Sequence, residues 1–292
     1  MSQPSLRELA AVIPSVPASD GAGVKLRRSL GSRQDLRVDP YLMLDEFFSD
    51  DPNDYLAGFP AHPHRGFETI TYMLDGHMRH EDSHGNRGDL GPGDAQWMTA
   101  ARGIIHSEMP QQTAGRMRGF QIWLNLPAAE KMKPASYRDI AAAQIPTVAV
   151  DGGSVRAIAG EFVQGAVRTA GPIGGVSTQP LFLDLRLQPH GTLDVPVDAA
   201  HNAFAYVYEG EVSVGAQRAT LPFRAAGILG AGGVARFEAG PNGASLLLLA
   251  GRPLHEPVVQ YGPFVMNSRE QIEAAIRDYQ SGTLGAQRAT AG

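Results

Sequence analysis

The 292-residue chain contains no cysteine. Disulfides, thiolate-held zinc, iron–sulfur clusters and a cysteine nucleophile are therefore excluded. Lysine is scarce as well: only Lys25, Lys131 and Lys133 stand among 25 basic side chains, against 30 acidic ones, for a net charge of −5. That balance carries no footprint for direct nucleic-acid or anionic-lipid binding. Long apolar runs are missing too. A run such as Leu246–Ala250 is far too short to cross a bilayer. Met1 to Pro17 holds acidic Glu8 and prolines in place of the basic and apolar regions of a leader, so a cytoplasmic location without a membrane partner is expected. The phosphate-binding loop and G-x-S-x-G patterns are absent.

What is present points to β-structure. Apolar residues make up 43% and charged residues 19%, as in a folded protein, and the length suits two domains. Glycine (34) and proline (21) supply about a fifth of the chain, which implies many tight turns. Between turn signals lie short alternating runs: Phe67–Leu74, Met117–Leu126, Leu181–Leu187, Phe204–Tyr208, Glu211–Val214, Val234–Glu238 and Ser245–Leu249. The pattern predicts an all-β fold of sandwiches or barrels with few short helices. One helix is expected near the end, where Ser268 and Gln271 form a capping-box pattern ahead of Ile272, Ala275, Ile276 and Tyr279, with Gly282 as its stop. The tail Thr283–Gly292 is expected to fray. Prolines at 127, 134 and 146 mark a linker over Ala128–Val150, and the expected domains are 1–135 and 136–292. Leu74–Met78 and Tyr208–Val212 resemble hairpins at matching positions in the two halves, which suggests one domain duplicated.

The chemistry-bearing pattern is His62-Pro63-His64, echoed about forty residues later by His106-Ser107-Glu108. In a strand, residues i and i+2 share a face, so each pair can aim at one point. Two neighbouring strands would then offer three imidazole nitrogens and one carboxylate oxygen, a set suited to a divalent transition metal with open positions.

At these residues the sequence resembles a known family. The spacing from Gly58 through His62, His64, Glu68 and Gly76, then Gly88, Pro92-Gly93-Asp94 and His106, is similar to the two cupin motifs. More narrowly, His62–Thr69, Gly93–Ala100 and Gly103–Pro110 resemble the pirin family, as do Leu42–Phe47 and Glu256–Asn267. The likeness runs from about Val24 to Ser281. It implies two cupin-type β-barrels in tandem, the first holding one ion, iron by the family pattern, through His62, His64, His106 and Glu108. Mn, Ni, Cu and Zn remain alternatives. The second barrel is expected to be metal-free. Counting back from Gly210 as the histidines lie before Gly76 lands on Pro196 and Asp198, and His190, His201 and His255 are scattered.

Other residues have two readings. His80-Glu81-Asp82-Ser83-His84 matches the H-E-x-x-H pattern of zinc proteases, which needs a helix, yet it lies between turn glycines and reads as a strand entering a turn. Glu68 is a fifth ligand or a structural carboxylate. Trp97 and Trp123 line a pocket or fill a core, and Arg65 and Gln121 are candidate pocket residues. The resemblance implies a quercetin 2,3-dioxygenase-type enzyme, with a flavonol and dioxygen as small-molecule partners. The site's chemistry makes Glu108 the candidate catalytic base, and a monomer is expected. The alternative is a non-enzymatic metal-binding regulator or redox sensor acting through a protein partner.

Overall fold

The computed structural model describes residues 5–286. Its chain forms two compact units, each a cupin-type barrel. One comprises Met1–Val16, Arg28–Tyr41 and Ala143–Leu254, and the other Pro17–Arg27, Leu42–Ala142 and His255–Gly292. The expected division at 135/136 is contiguous, whereas these units exchange their ends. Backbone pairing is the reason. Leu9–Pro14 pairs with Ala225–Leu229 of the later barrel, and the chain after Leu254 packs with the earlier one.

The earlier barrel is built on two main sheets. Seven strands run in the order Ser136–Ile140, Ala95–Thr99, Phe67–Asp75, Met117–Asn125, Tyr41–Ser49, Val24–Arg28 and Val16–Asp20. Four more run Phe59–His64, Ile104–Pro110, Met78–Asp82 and Arg87–Leu90. Val24, Leu26, Phe47, Met73, Met78 and Met117 form a buried apolar cluster in this unit. The segment 128–150 is less of a linker than expected, since Ser136–Ile140 pairs with Ala95–Thr99 and Thr147–Val150 pairs with Gly153–Ala159.

The later barrel is filled by Leu183, Leu185, Val195, Ala205, Val207, Phe237, Leu246 and Leu248, all fully or almost fully buried. Leu181–Leu187 forms as expected. Two expected breaks do not. Asn202–Val214 is one strand, and Val234–Gly251 runs unbroken through the turn signal Pro241-Asn242-Gly243. The two strands pair along their length, with register shifts between Val207 and Glu209 and between Gly210 and Val212. Gly210, at φ +68°, allows the bend there. Turn residues here make bulges that bend paired strands rather than end them.

Neither expected hairpin is one. Gly76 joins Phe67–Asp75 of the seven-stranded sheet to Met78–Asp82 of the four-stranded sheet, and Gly210 lies within a single strand.

The helix Arg269–Gln280 starts at Ser268 with the reciprocal Ser268–Gln271 capping box and buries Ile272 and Ala275. It packs on Phe264 and Met266, while Val265 packs on Leu42 and Phe67 of the same unit. Lys131 Nζ donates to Gly66 O, Asn125 Oδ1 and Val265 O at 2.6, 2.6 and 3.0 Å, tying the segment after Leu254 to the histidine-bearing strand. Residues 283–286 carry turns. The rest of the tail expected to fray lies outside the described residues.

Candidate metal centre

Phe59–His64 is the edge strand of its sheet, where Pro60 and Pro63 cost little because an edge strand has N–H groups without ladder partners. It pairs antiparallel with Ile104–Pro110, and His106 stands directly opposite His62. A bulge follows, so that Glu108 pairs with Phe59 and the edge strand carries one extra residue. His106 and Glu108 nonetheless share the inward face, and both are buried.

The three imidazoles converge. Ring centroids lie 4.7 Å apart for His62–His64, 4.3 Å for His62–His106 and 4.9 Å for His64–His106. One nitrogen from each lies within 4.8 Å of the others, a group that could hold a metal ion. Burial first, and then the neighbouring imidazoles, hold His64 and His106 well below the ordinary histidine range. Neutral imidazole is the form that ligates.

The residues fit an ion on two observations. His62 Nε2 and His64 Nε2 are 3.0 Å apart, and two nitrogens bound at about 2.0–2.1 Å to one centre at ordinary angles lie about 2.9–3.4 Å apart. His106 Nε2 is buried with no hydrogen-bond partner, which is costly unless something else occupies its lone pair. His62 is oriented by its own strand, as Nδ1 donates to Pro60 O at 2.8 Å, which leaves the Nε2 lone pair on the side of His64 Nε2.

Glu108 lies outside the three-nitrogen group. Its Oε1 faces the Thr71 hydroxyl at 3.0 Å, and its Oε2 accepts from Gln121 Nε2 at 3.2 Å. Thr71 Oγ1 is also 2.6 Å from Gln121 Oε1, so its single proton has two acceptors to choose between. Thr71 and Gln121 face each other on paired strands, which sets this polar row beside the histidines.

Residues 23–124 match the pirin family model, and residues 182–285 match the pirin C-terminal cupin domain. The chain is 53% identical to a Pseudomonas aeruginosa protein provisionally named a quercetin 2,3-dioxygenase, over 92% of this chain and 94% of that one. It belongs to the pirin family. Human pirin is 40% identical over 93% of this chain and 91% of its own. A solved structure of quercetin 2,3-dioxygenase from Acinetobacter baumannii superposes with a TM-score of 0.87 at 31% identity, covering 96% of this chain and 99% of that one.

Within this pirin the other candidate residues divide by position. Glu68 Oε1 accepts from Thr99 Oγ1 at 2.6 Å, and burial raises its carboxyl above the usual range. Arg65 is buried and spends its guanidinium on Arg102 O and Asp278, so it ties the terminal helix to the histidine strand. Trp123 meets His64 edge-on at 5.3 Å and Phe67 at 4.3 Å, whereas Trp97 lies in the core. His190 and His255 are exposed and His201 is partly buried. In the later barrel Pro196 ends a strand, and Asp198 sits in an exposed turn, accepting from Ala200 N.

The H-E-x-x-H match is a strand, Met78–Asp82, followed by a turn, with His84 exposed. His80, however, is fully buried, and its Nδ1 lies 3.2 Å from His106 Nδ1. This contact has no signature in the sequence motif itself. Period-2 alternation from Met78 could have placed His80 inward, but its neighbour across the sheet is a tertiary matter.

Proposed function

We propose that this pirin is a metal-dependent dioxygenase that opens the central ring of a flavonol such as quercetin. The observation that carries the reading is the trio of converging imidazoles beside a carboxylate held by Thr71 and Gln121. The name of the similar Acinetobacter baumannii structure supports the substrate class. His62, His64 and His106 would hold one divalent ion per chain, iron in this reading, and Glu108 would be the fourth ligand or the base beside it. When bound, the ion supplies Lewis-acid polarisation of the flavonol 3-hydroxyl and redox chemistry toward dioxygen.

The protein's own part is positioning and proton handling. Glu108 removes the 3-hydroxyl proton, and Thr71 and Gln121 keep its two oxygens from turning away. Trp123, set edge-on to His64, offers an aromatic wall to a flat substrate. Both atoms of dioxygen enter the opened product, and the carbon that bore the 3-hydroxyl leaves as carbon monoxide. A cytoplasmic monomer acting on a small molecule belongs to this reading; among the described residues no helix is long and apolar enough to cross a membrane.

Oxygen uptake tests the reading. Protein loaded with Fe²⁺ should consume one dioxygen per quercetin and release carbon monoxide. No uptake with Fe²⁺, Mn²⁺, Ni²⁺ or Cu²⁺ would overturn it in favour of a metal-binding regulator with a protein partner.

A further inference from the structure

The buried polar groups behind His106 form a line. His106 Nδ1 lies 3.2 Å from His80 Nδ1, and His80 Nε2 lies 3.3 Å from Asp82 Oδ2. The side chains of His80 and Asp82 are both wholly buried. The His80 ring stacks on Tyr137 at 4.5 Å and 27°, which fixes its plane. One strand pairing brings the line together, since Met78–Asp82 runs antiparallel to Ile104–Pro110 with Asp82 opposite His106.

Hydrogen-bond polarity along this line has one solution with neutral rings. Asp82 is surrounded by donors: the backbone N–H groups of His84 and Asn86 at 2.8 and 3.1 Å to Oδ1, and Asn86 Nδ2 at 2.9 Å to Oδ2. An acceptor-only carboxylate therefore faces His80 Nε2, which must carry the hydrogen. His80 Nδ1 is then an acceptor, so His106 Nδ1 must donate to it. The remaining nitrogen, His106 Nε2, keeps its lone pair, and it is the buried atom without a partner.

From this geometry we infer that His80 and Asp82 are positioning residues that set the tautomer of His106, so that the nitrogen facing the metal site is the unprotonated one. A ligating histidine commonly donates its second N–H to a carboxylate or carbonyl; here a second histidine stands between. The inference deepens the metal-site reading and rests on it. It also turns the apparent zinc-protease motif to another use, since its first histidine supports a neighbouring site and its second takes no part.

Asp82→Asn is the sharp test. The amide keeps the shape and can still accept from the two backbone N–H groups through Oδ1, but it turns its NH₂ toward His80. His80 Nε2 becomes an acceptor, its Nδ1 donates to His106 Nδ1, and the proton of His106 moves to Nε2. An amide in place of a carboxylate behind a histidine is known to select the other tautomer. In chelator-treated protein at about pH 8, long-range ¹H–¹⁵N spectra should show His106 protonated at Nδ1 in wild type and at Nε2 in Asp82→Asn, with the thermal midpoint serving as the folding check. Affinity for Ni²⁺, read by competition with a chromogenic chelator, should fall by about 10–100-fold.

A pair of substitutions at the middle residue keeps the test independent of that one variant. His80→Asn can place an amide oxygen near the former Nδ1 and should keep affinity within about threefold, whereas His80→Phe preserves the stack on Tyr137 but should lose about tenfold or more. Wild-type His106 protonated at Nε2 would overturn the relay, as would a folded Asp82→Asn variant with unchanged tautomer and affinity. Wild-type protein that takes up no metal would instead overturn the metal-site reading, while the spectra of metal-free protein judge the relay by themselves.

Discussion

The Nε2 atoms of His62 and His64 stand 3.0 Å apart, although successive inward positions of a strand repeat every ~6.5–7 Å along the backbone. Their rings tilt toward a common point, and His106 closes it from the opposite strand.

One ion per chain, held in the earlier barrel, is the expected stoichiometry. His62→Ala or His106→Ala should remove most of the metal, and His84→Ala should leave it unchanged because that side chain is exposed beyond the strand end. Elemental analysis of purified variants checks both. Two ions per wild-type chain, or loss of metal in His84→Ala, would show that the site has been misplaced.

Glu108→Gln separates binding from chemistry. Three neutral imidazoles can retain an ion alone, so metal content should drop without vanishing. An amide cannot take up a proton as a carboxylate does, and loss of a positioned base costs ~10²–10⁴-fold. With metal restored by excess, oxygen uptake on quercetin should fall at least about tenfold while the flavonol spectral shift on binding persists. Turnover at the wild-type rate would remove Glu108 from the mechanism.

Acid sensitivity should follow from the buried rings. His64 and His106 are held well below the usual histidine range, so the unfolded chain takes up protons there as pH falls below about 6.5 while the folded chain does not. Stability is then complete above that pH and is lost as pH falls toward the folded values. Urea denaturation of chelator-treated protein at about pH 7.5 and about pH 5 should show a larger loss for wild type than for His64→Phe. Equal losses would mean that the His64 ring charges without penalty in the folded state.

Lys131 offers a test of how the segment after Leu254 is held. Its ammonium donates to Gly66 O, Asn125 Oδ1 and Val265 O inside the protein. Lys131→Met keeps the length of the side chain but leaves these acceptors without that donor, at a cost of about 2–4 kcal/mol. The thermal midpoint should drop, and proteolysis near Val265 should quicken. An unchanged midpoint would show that water replaces the amine freely.

Much of this protein is written locally. The i, i+2 pairs His62/His64 and His106/Glu108 and the Ser268–Gln271 cap depend on residues within a few positions of one another, and the structure places each on the expected element. Three features were decided only by the tertiary fold. Val234–Gly251 continues through Pro241-Asn242-Gly243 because a partner strand supplies hydrogen bonds on both sides of the bulge. The terminal helix joins the earlier barrel because Val265 finds Leu42 and Phe67, some two hundred residues back in the chain. His80 acquires its partner because antiparallel pairing brings it within reach of a ring 26 residues later. Period and propensity choose which face a side chain takes, but which atom it meets there is set by strand pairing across long loops, and no local pattern encodes that.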